Sequence, residues 1–524
     1  MQKVNFFKFK KTFLLFNCIV ILFTISCHDE EIKVHRPPDN ISLSQSIYYY
    51  INLNDQSGDS FKVKGYLQDM DISNGIFQFP VVVPGTYSIS DIGRFVTKFE
   101  AYNAQDELIA TEHISTNQWQ IADPASTYYV KYEILETWDN PQEGDGVYRM
   151  EGTSIENDHV LINTGAVLGY PTGLKNRTYY LELDYPKNWI VGTSMENTSD
   201  QIYRAKNYDY LVDSPLLIGR LSNSSITIDQ AEIGVYAYSK TNMIPASTLQ
   251  SEIESVLYDA SAFLIQLPVD RYNFLFHFEE FSSGALEHSF SSVYVLRERE
   301  LTENFKSTIK NISAHEFFHI VTPLNIHSEI IKNFNFVDPT PSAHLWLYEG
   351  VTEWASHMMQ YRNGSKTLDQ LFSSLKTKYT DYTGRDNTLS LEQLSLTSFT
   401  EEGGKQFGGV YTKGALLAYL LDIRLLELSG GSDGLRELIL ELIDIYGEDQ
   451  AFDDQTFFSK LENLTDPEIG DFINAYIIGT DAFPIQEYFA KIGIDFNQEQ
   501  STFSLIQAPT AVQQNLFNQW KVNL

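Results

Sequence analysis

Cysteine is nearly missing from this chain: its 524 residues hold two, Cys18 and Cys27. Cys18 falls in an apolar N-terminal stretch, so no disulfide framework can brace the fold, which has to rest on core burial. Positive charge is scarce as well. Lys plus Arg number 37 against 69 Asp plus Glu, a net −32, and setting aside the four lysines of the N-terminal stretch leaves −36. Such a balance excludes charge-driven binding to nucleic acid or to an anionic lipid surface. Beyond residue 26 there is no apolar run long enough to span a membrane. Leu416–Leu426 comes nearest, but Asp422 and Arg424 interrupt it. Internal repeats and low-complexity tracts are absent too.

What is present begins with a leader. Lys3, Lys8, Lys10 and Lys11 precede an almost wholly apolar Thr12–Ser26, which predicts a signal peptide over residues 1–26. The leader ends in Thr24-Ile25-Ser26-Cys27, similar to a bacterial lipobox. Cys27 is therefore expected to become the lipidated first residue of an exported lipoprotein, anchored at the outer membrane or cell surface. Residues 27–44, polar and with Pro37-Pro38, read as a tether.

From 45 to 230 the chain reads as an antiparallel β domain. Ser46–Leu53, Phe61–Leu67, Ile76–Val83, Tyr128–Ile134 and Arg177–Leu183 are rich in β-branched and aromatic residues, with turn formers between them. Residues 231–365 mix strands (Ile233–Ser239, Asn273–Phe278, Ser292–Arg297) with helices (Ser247–Leu267, Asn304–Ile320), an α+β pattern. Residues 366–500 read as a helical domain, and 501–524 as a C-terminal tail. The fold class expected is thus α+β and multidomain.

His315-Glu316-Phe317-Phe318-His319 carries the chemistry. Two His four residues apart share one helix face, where both rings reach one metal. Glu316 lies beside them, placed to accept a proton from a water on that metal. A zinc hydrolase site needs a third protein ligand. A His six residues after His319 would supply one, but that position is Asn325. A Glu from a second helix is the other geometry. Glu349 and Glu353 lie one turn apart in an apolar segment with Leu345, Trp346, Leu347, Val351 and Trp354, and carboxylates in such surroundings usually have a partner. If Glu349 holds the metal, Glu353 can accept the second ring N–H of a liganding His.

At this point the chain resembles the glycyl aminopeptidase family of zinc metallopeptidases, of the thermolysin-like gluzincin type. His315–His319 followed by Trp346-Leu-Tyr-Glu349-Gly-Val-Thr352 carries the likeness. So do Phe79-Pro80-Val-Val-Val-Pro84-Gly85-Thr86-Tyr87, Asp209–Pro215, Gly284-Ala285-Leu286-Glu287-His288 and Tyr411-Thr412-Lys413-Gly414. The resemblance implies a thermolysin-like catalytic domain over 231–365, with the metal in the cleft between it and the helical domain. It implies His315, His319 and Glu349 as zinc ligands and Glu316 as general base. It also implies Glu287 as receptor of the substrate α-amine, and Tyr411 as the group that steadies the oxyanion. The strand Ser292–Arg297 is expected to add the peptide backbone by edge pairing.

Two departures stand out. Where the family continues W-N-x-K-R after the second His, this chain has Ile320-Val-Thr-Pro-Leu, a segment expected near the pocket. The second Gly of the family's G-G-L-E-H is Ala285. His288, His327, His344 and His357 are left as packed or surface residues. The expected activity is release of N-terminal residues from peptides through a metal-activated water. A zinc endopeptidase and a non-catalytic peptide-binding surface lipoprotein are the alternatives.

Overall fold

A computed structural model describes residues 35–56, 58–140 and 146–523. The leader and Cys27 lie outside them. Ile41–Leu524 make one unit, and its β-rich part comes first. An eight-stranded sheet contains Ser46–Asn52, Ser60–Tyr66 and Thr127–Leu135. Alternation sets its faces: Ile47, Tyr49 and Ile51 point into the main core of this region with Val63 and Leu181, while Tyr48 packs with Tyr66 and Tyr129 on the other side. The sheet is antiparallel apart from one pair, Ser46–Asn52 alongside Thr178–Asp184.

One strand is shorter than its composition suggests. Ile76–Gln78 stops where Ile76–Val83 was expected, because Pro80 and Pro84 lack the N–H that a ladder needs. The chain turns away there, with Val81 N–H donating to the Phe336 carbonyl at 2.7 Å and Ser90 N–H returning to Val81 O at 2.8 Å. The loop so released runs on to Tyr87 and reaches the site.

A five-stranded sheet has the spatial order Ser222–Ile228, Ala231–Ser239, Arg271–Glu279, Ser291–Arg297, Gly284–His288, so it starts before the expected residue 231. Its middle three strands are parallel, and the helix Ala246–Leu264 makes the crossover between two of them. Gly284–His288 pairs antiparallel to Ser291–Arg297 and forms the edge. This corrects the expected pairing strand: Ser291–Arg297 is interior, and the open edge belongs to Gly284–His288. Phe274, Phe276 and Tyr294 of the sheet stack with one another, and Phe274 meets Phe317 of the helix Glu303–Phe318, joining the helix to the sheet.

Helices make up most of the rest. Leu368–Gly384 and Gly408–Leu428 pack around Thr352–Arg362. The second of these is buried on nearly every side, which explains its long apolar run without any membrane. Among the described residues no helix is long and apolar enough to cross a membrane. The last residues are not a loose tail. Thr502–Leu505 pairs with Ile494–Asn497, and the helix Ala511–Trp520 buries Trp520, whose carbonyl accepts from Arg362 Nε at 3.0 Å.

Candidate metal centre

The helix Glu303–Phe318 is capped by Thr302, whose side chain accepts from Phe305 N–H, and His319 is its last cap. His315 and His319 therefore come off one face, a turn apart. Opposite them the chain winds as a π-helical segment, Trp346–Val351, into the α-helix Thr352–Arg362. This brings Glu349 and Glu353 to opposite sides of one imidazole. Glu349 Oε2 lies 3.5 Å from His315 Nε2 and 3.6 Å from His319 Nε2. Glu353 Oε2 lies 2.8 Å from His315 Nδ1.

The tautomers follow from the partners. His315 Nδ1 donates to Glu353, and His319 Nδ1 donates to the Thr322 carbonyl at 2.7 Å. Each Nε2 is then a bare lone pair facing a carboxylate oxygen, with all three side chains buried. Such acceptors face one another only around a cation or a shared proton. Ligand atoms on a tetrahedral zinc lie roughly 3.3–3.6 Å apart, so the donor set fits the ion. The electrostatics agree. Burial opposes charge on His315, but Glu349 and Glu353 outweigh it and raise its proton affinity well above the ordinary imidazole range. Burial holds His319 down at about 4. The cluster as a whole draws in positive charge.

A second His-His-Glu group, His159, His277 and Glu279, also lies close together among the described residues. It fits a metal poorly. His159 Nδ1 is spent on Asp158 at 2.9 Å, its Nε2 takes the N–H of His277 Nε2 at 2.7 Å, and Glu279 is paired with Lys240 at 3.0 Å. The facing nitrogens are already joined by a proton.

Around the first cluster lies a cavity of about 610 Å³. Glu316 lines it, and burial pushes its carboxyl up to about 7. Glu287 enters from the edge strand, with atoms of Glu287, Glu316 and His319 all within 4.8 Å of one another. Burial first, then the charges of Glu349 and Glu316, raise Glu287 well above the carboxylate range. Tyr411 stands on the helix Gly408–Leu428, its ring 5.7 Å from that of His315. Its position has a backbone cause. A Cβ on Gly350 would meet Gly414 Cα at 2.5 Å, so the π-helical segment and the Tyr411 helix cross with their backbones in contact. Tyr411, one turn before Gly414, is thereby set over Glu349.

The sequence-predicted residues His315, Glu316, His319, Glu349, Glu353, Glu287 and Tyr411 thus converge. The cleft is not confined to the catalytic and helical regions, however. Gly85, Thr86, Tyr148 and Met150 of the β-rich part also line it. Gly85 has φ +87°, and a Cβ there would meet Glu287 Oε1 at 2.8 Å, so this loop is seated on Glu287. Tyr87 was missed as a site residue. Burial and the nearby Glu349 and Glu287 charges raise its phenol well above the ordinary range; its place in the Pro84-Gly85-Thr86-Tyr87 motif was the available signal. His357 is buried, its Nε2 3.3 Å from Glu353. His288, His327 and His344 bind Asp213, the Pro323 carbonyl and the Asp454 carbonyl.

Comparison with known proteins follows the same lines. The family model for the Peptidase M61 N-terminal domain matches residues 48–220, and that for the M61 glycyl aminopeptidase matches 308–417, together more than half of the chain. No curated protein matches. The crystal structure of an aminopeptidase N family protein from Idiomarina loihiensis superposes with TM-score 0.75 at 21% identity, covering 86% of this chain and 78% of that one. An M1 zinc metallopeptidase from Deinococcus radiodurans gives TM-score 0.51 at 11% identity, over 84% and 95%. A mutant of that enzyme bound to a Tyr-Ser-Ala substrate gives 0.50 at 11%, over 84% and 95%. At these identities the superpositions establish the fold.

Proposed function

Because the chain belongs to the M61 glycyl aminopeptidase family, and so is a zinc metallopeptidase, we propose that it removes N-terminal residues from peptides, with its own residues in the following roles. His315, His319 and Glu349 would hold the zinc, which when bound supplies Lewis acidity and makes a water nucleophilic near neutral pH. Glu316 takes the proton of the attacking water and passes it to the departing amide nitrogen, from its place beside His315 on the cavity wall. Tyr411 donates its O–H to the carbonyl oxygen as that oxygen becomes negative. Glu287 pairs with the substrate ammonium, and the open edge of Gly284–His288 binds the peptide backbone.

The observation that supports an exopeptidase is Glu287, an acidic side chain that lines the cavity with an oxygen within 4.8 Å of Glu316 and His319. Burial and acidic neighbours disfavour charge on Glu287, and a substrate ammonium beside it would restore that charge, whereas an endopeptidase substrate brings no such group. A peptide with a free amine should be cleaved at least about tenfold faster than its N-acetylated form, since a charge-assisted hydrogen bond is lost. Equal rates would favour the endopeptidase.

We also propose, from residues 1–27, that the enzyme is an exported lipoprotein anchored through Cys27 at the outer membrane or cell surface. Replacing Cys27 by Ser should move the protein from the membrane to the soluble fraction. Unchanged membrane attachment would refute an anchor at that residue.

A further inference from the structure

Glu287 and Gly85 line a second space besides the catalytic cavity, a partly open recess of about 80 Å³. Val83, Pro323, Leu324, Ile331, Leu345 and Phe399 are among its apolar lining residues. Two of its polar neighbours are engaged elsewhere. Asp213 takes bonds from His288 and from Ser289 N–H, and Ser342 bonds to Asp454. Tyr87 closes one side, its ring 6.3 Å from Phe399 and 5.0 Å from Phe407.

We propose that this recess receives the side chain of the substrate's N-terminal residue, and that it selects branched aliphatic residues of the size of Val or Leu. The assignment rests on the aminopeptidase reading above, which puts the α-amine at Glu287. Amine and side chain leave the same α-carbon, so a residue anchored at Glu287 carries its side chain within a few bond lengths of that carboxylate. The catalytic cavity must take the rest of the peptide, which leaves the recess for the side chain.

Three properties of the recess set its preference. Its volume is about half of the roughly 150 Å³ that holds a benzene ring, which admits an aliphatic branch and excludes aromatic groups. Its apolar walls reward each methylene placed there and leave a glycine's share of the space unfilled. Its third property is a departure from the resembled motif. Where that motif has Lys and Arg, this chain has Pro323 and Leu324, and both line the recess. An acidic N-terminal side chain would meet no cation there, and would sit beside Glu287.

The test is a set of aminoacyl p-nitroanilides bearing Gly, Ala, Val, Leu, Phe and Glu, with calorimetric binding of free glycine, L-valine, L-leucine and L-phenylalanine as a readout independent of turnover. The Val or Leu reporter should exceed those of Gly, Phe and Glu at least about tenfold in kcat/KM, with binding of the free amino acids in the same order. Leu324→Arg should cut the Leu-to-Gly ratio at least about tenfold, whereas Leu324→Met should keep it. The wild-type series stands by itself if the Arg variant does not fold. Turnover with Gly or Phe preferred, or a Leu324→Arg ratio equal to wild type, would overturn the recess assignment alone. Absence of turnover on every free-amine reporter would overturn the aminopeptidase reading and this assignment with it.

Discussion

His315 is gripped through both ring nitrogens, and the grip continues outward. Glu353 accepts from its Nδ1 and is itself bonded to the Lys378 ammonium and to His357. Burial would raise the Glu353 carboxyl, but Lys378 and the two imidazoles outweigh it and hold it well below the carboxylate range. Glu353 therefore stays an acceptor and fixes the tautomer that bares Nε2. The Glu316 carboxyl makes no such bond among the described residues and is left to move a proton. Its replacement by Gln should leave the zinc content unchanged and lower kcat by about a thousandfold or more; metal analysis alongside single-turnover rates checks both halves. An active variant would remove Glu316 from the general-base role. At this scale the sequence is informative where spacing alone decides: His315, Glu316 and His319 follow from one helical turn. Lys378, on another helix, has no local signature and appears only once Leu368–Gly384 is packed against Thr352–Arg362.

Helix crossings place the remaining groups. Gly350 and Gly414 are both legible as members of motifs, but their meaning is mutual, since each occupies the space that a Cβ on the other would need. Nothing in either segment alone points to the partner. Gly350→Ala would drive a methyl to 2.5 Å from Gly414 Cα. It should cost about 1–3 kcal/mol of stability through overpacking and reduce turnover by displacing Tyr411. Urea denaturation and steady-state rates check the two effects, and unchanged stability would show that the crossing has room to spare. The strand order was similarly hidden. Ser291–Arg297 and Gly284–His288 both read as strands or strand neighbours, yet only pairing with Arg271–Glu279 decides which of them is interior. A chain read one segment at a time has no access to that choice.

For the molecule as a whole, the unexpected feature is how far the β-rich part reaches into the catalytic cavity. Its two contributing loops are tied together by Glu151, next to the lining residue Met150: the Glu151 carboxyl accepts from Ser90 Oγ at 2.8 Å. Glu151 is fully buried, and its other oxygen meets no donor among the described residues. Burial raises its carboxyl to about 8 from an ordinary 4.5. The folded chain thus keeps a proton that the unfolded chain releases once the pH passes 4.5. Between about 4.5 and 8 this residue's contribution to stability falls by roughly 1.4 kcal/mol per pH unit, and above about 8 it levels off. Glu151→Gln keeps the shape and cannot ionise. The variant should match wild type near pH 4.5, gain on it steadily up to about pH 8, and hold its lead beyond. Denaturant titrations at pH 5, 6.5 and 8 measure this directly. Wild-type and variant curves that run parallel in pH would mean that Glu151 ionises as freely in the folded protein as in the unfolded chain.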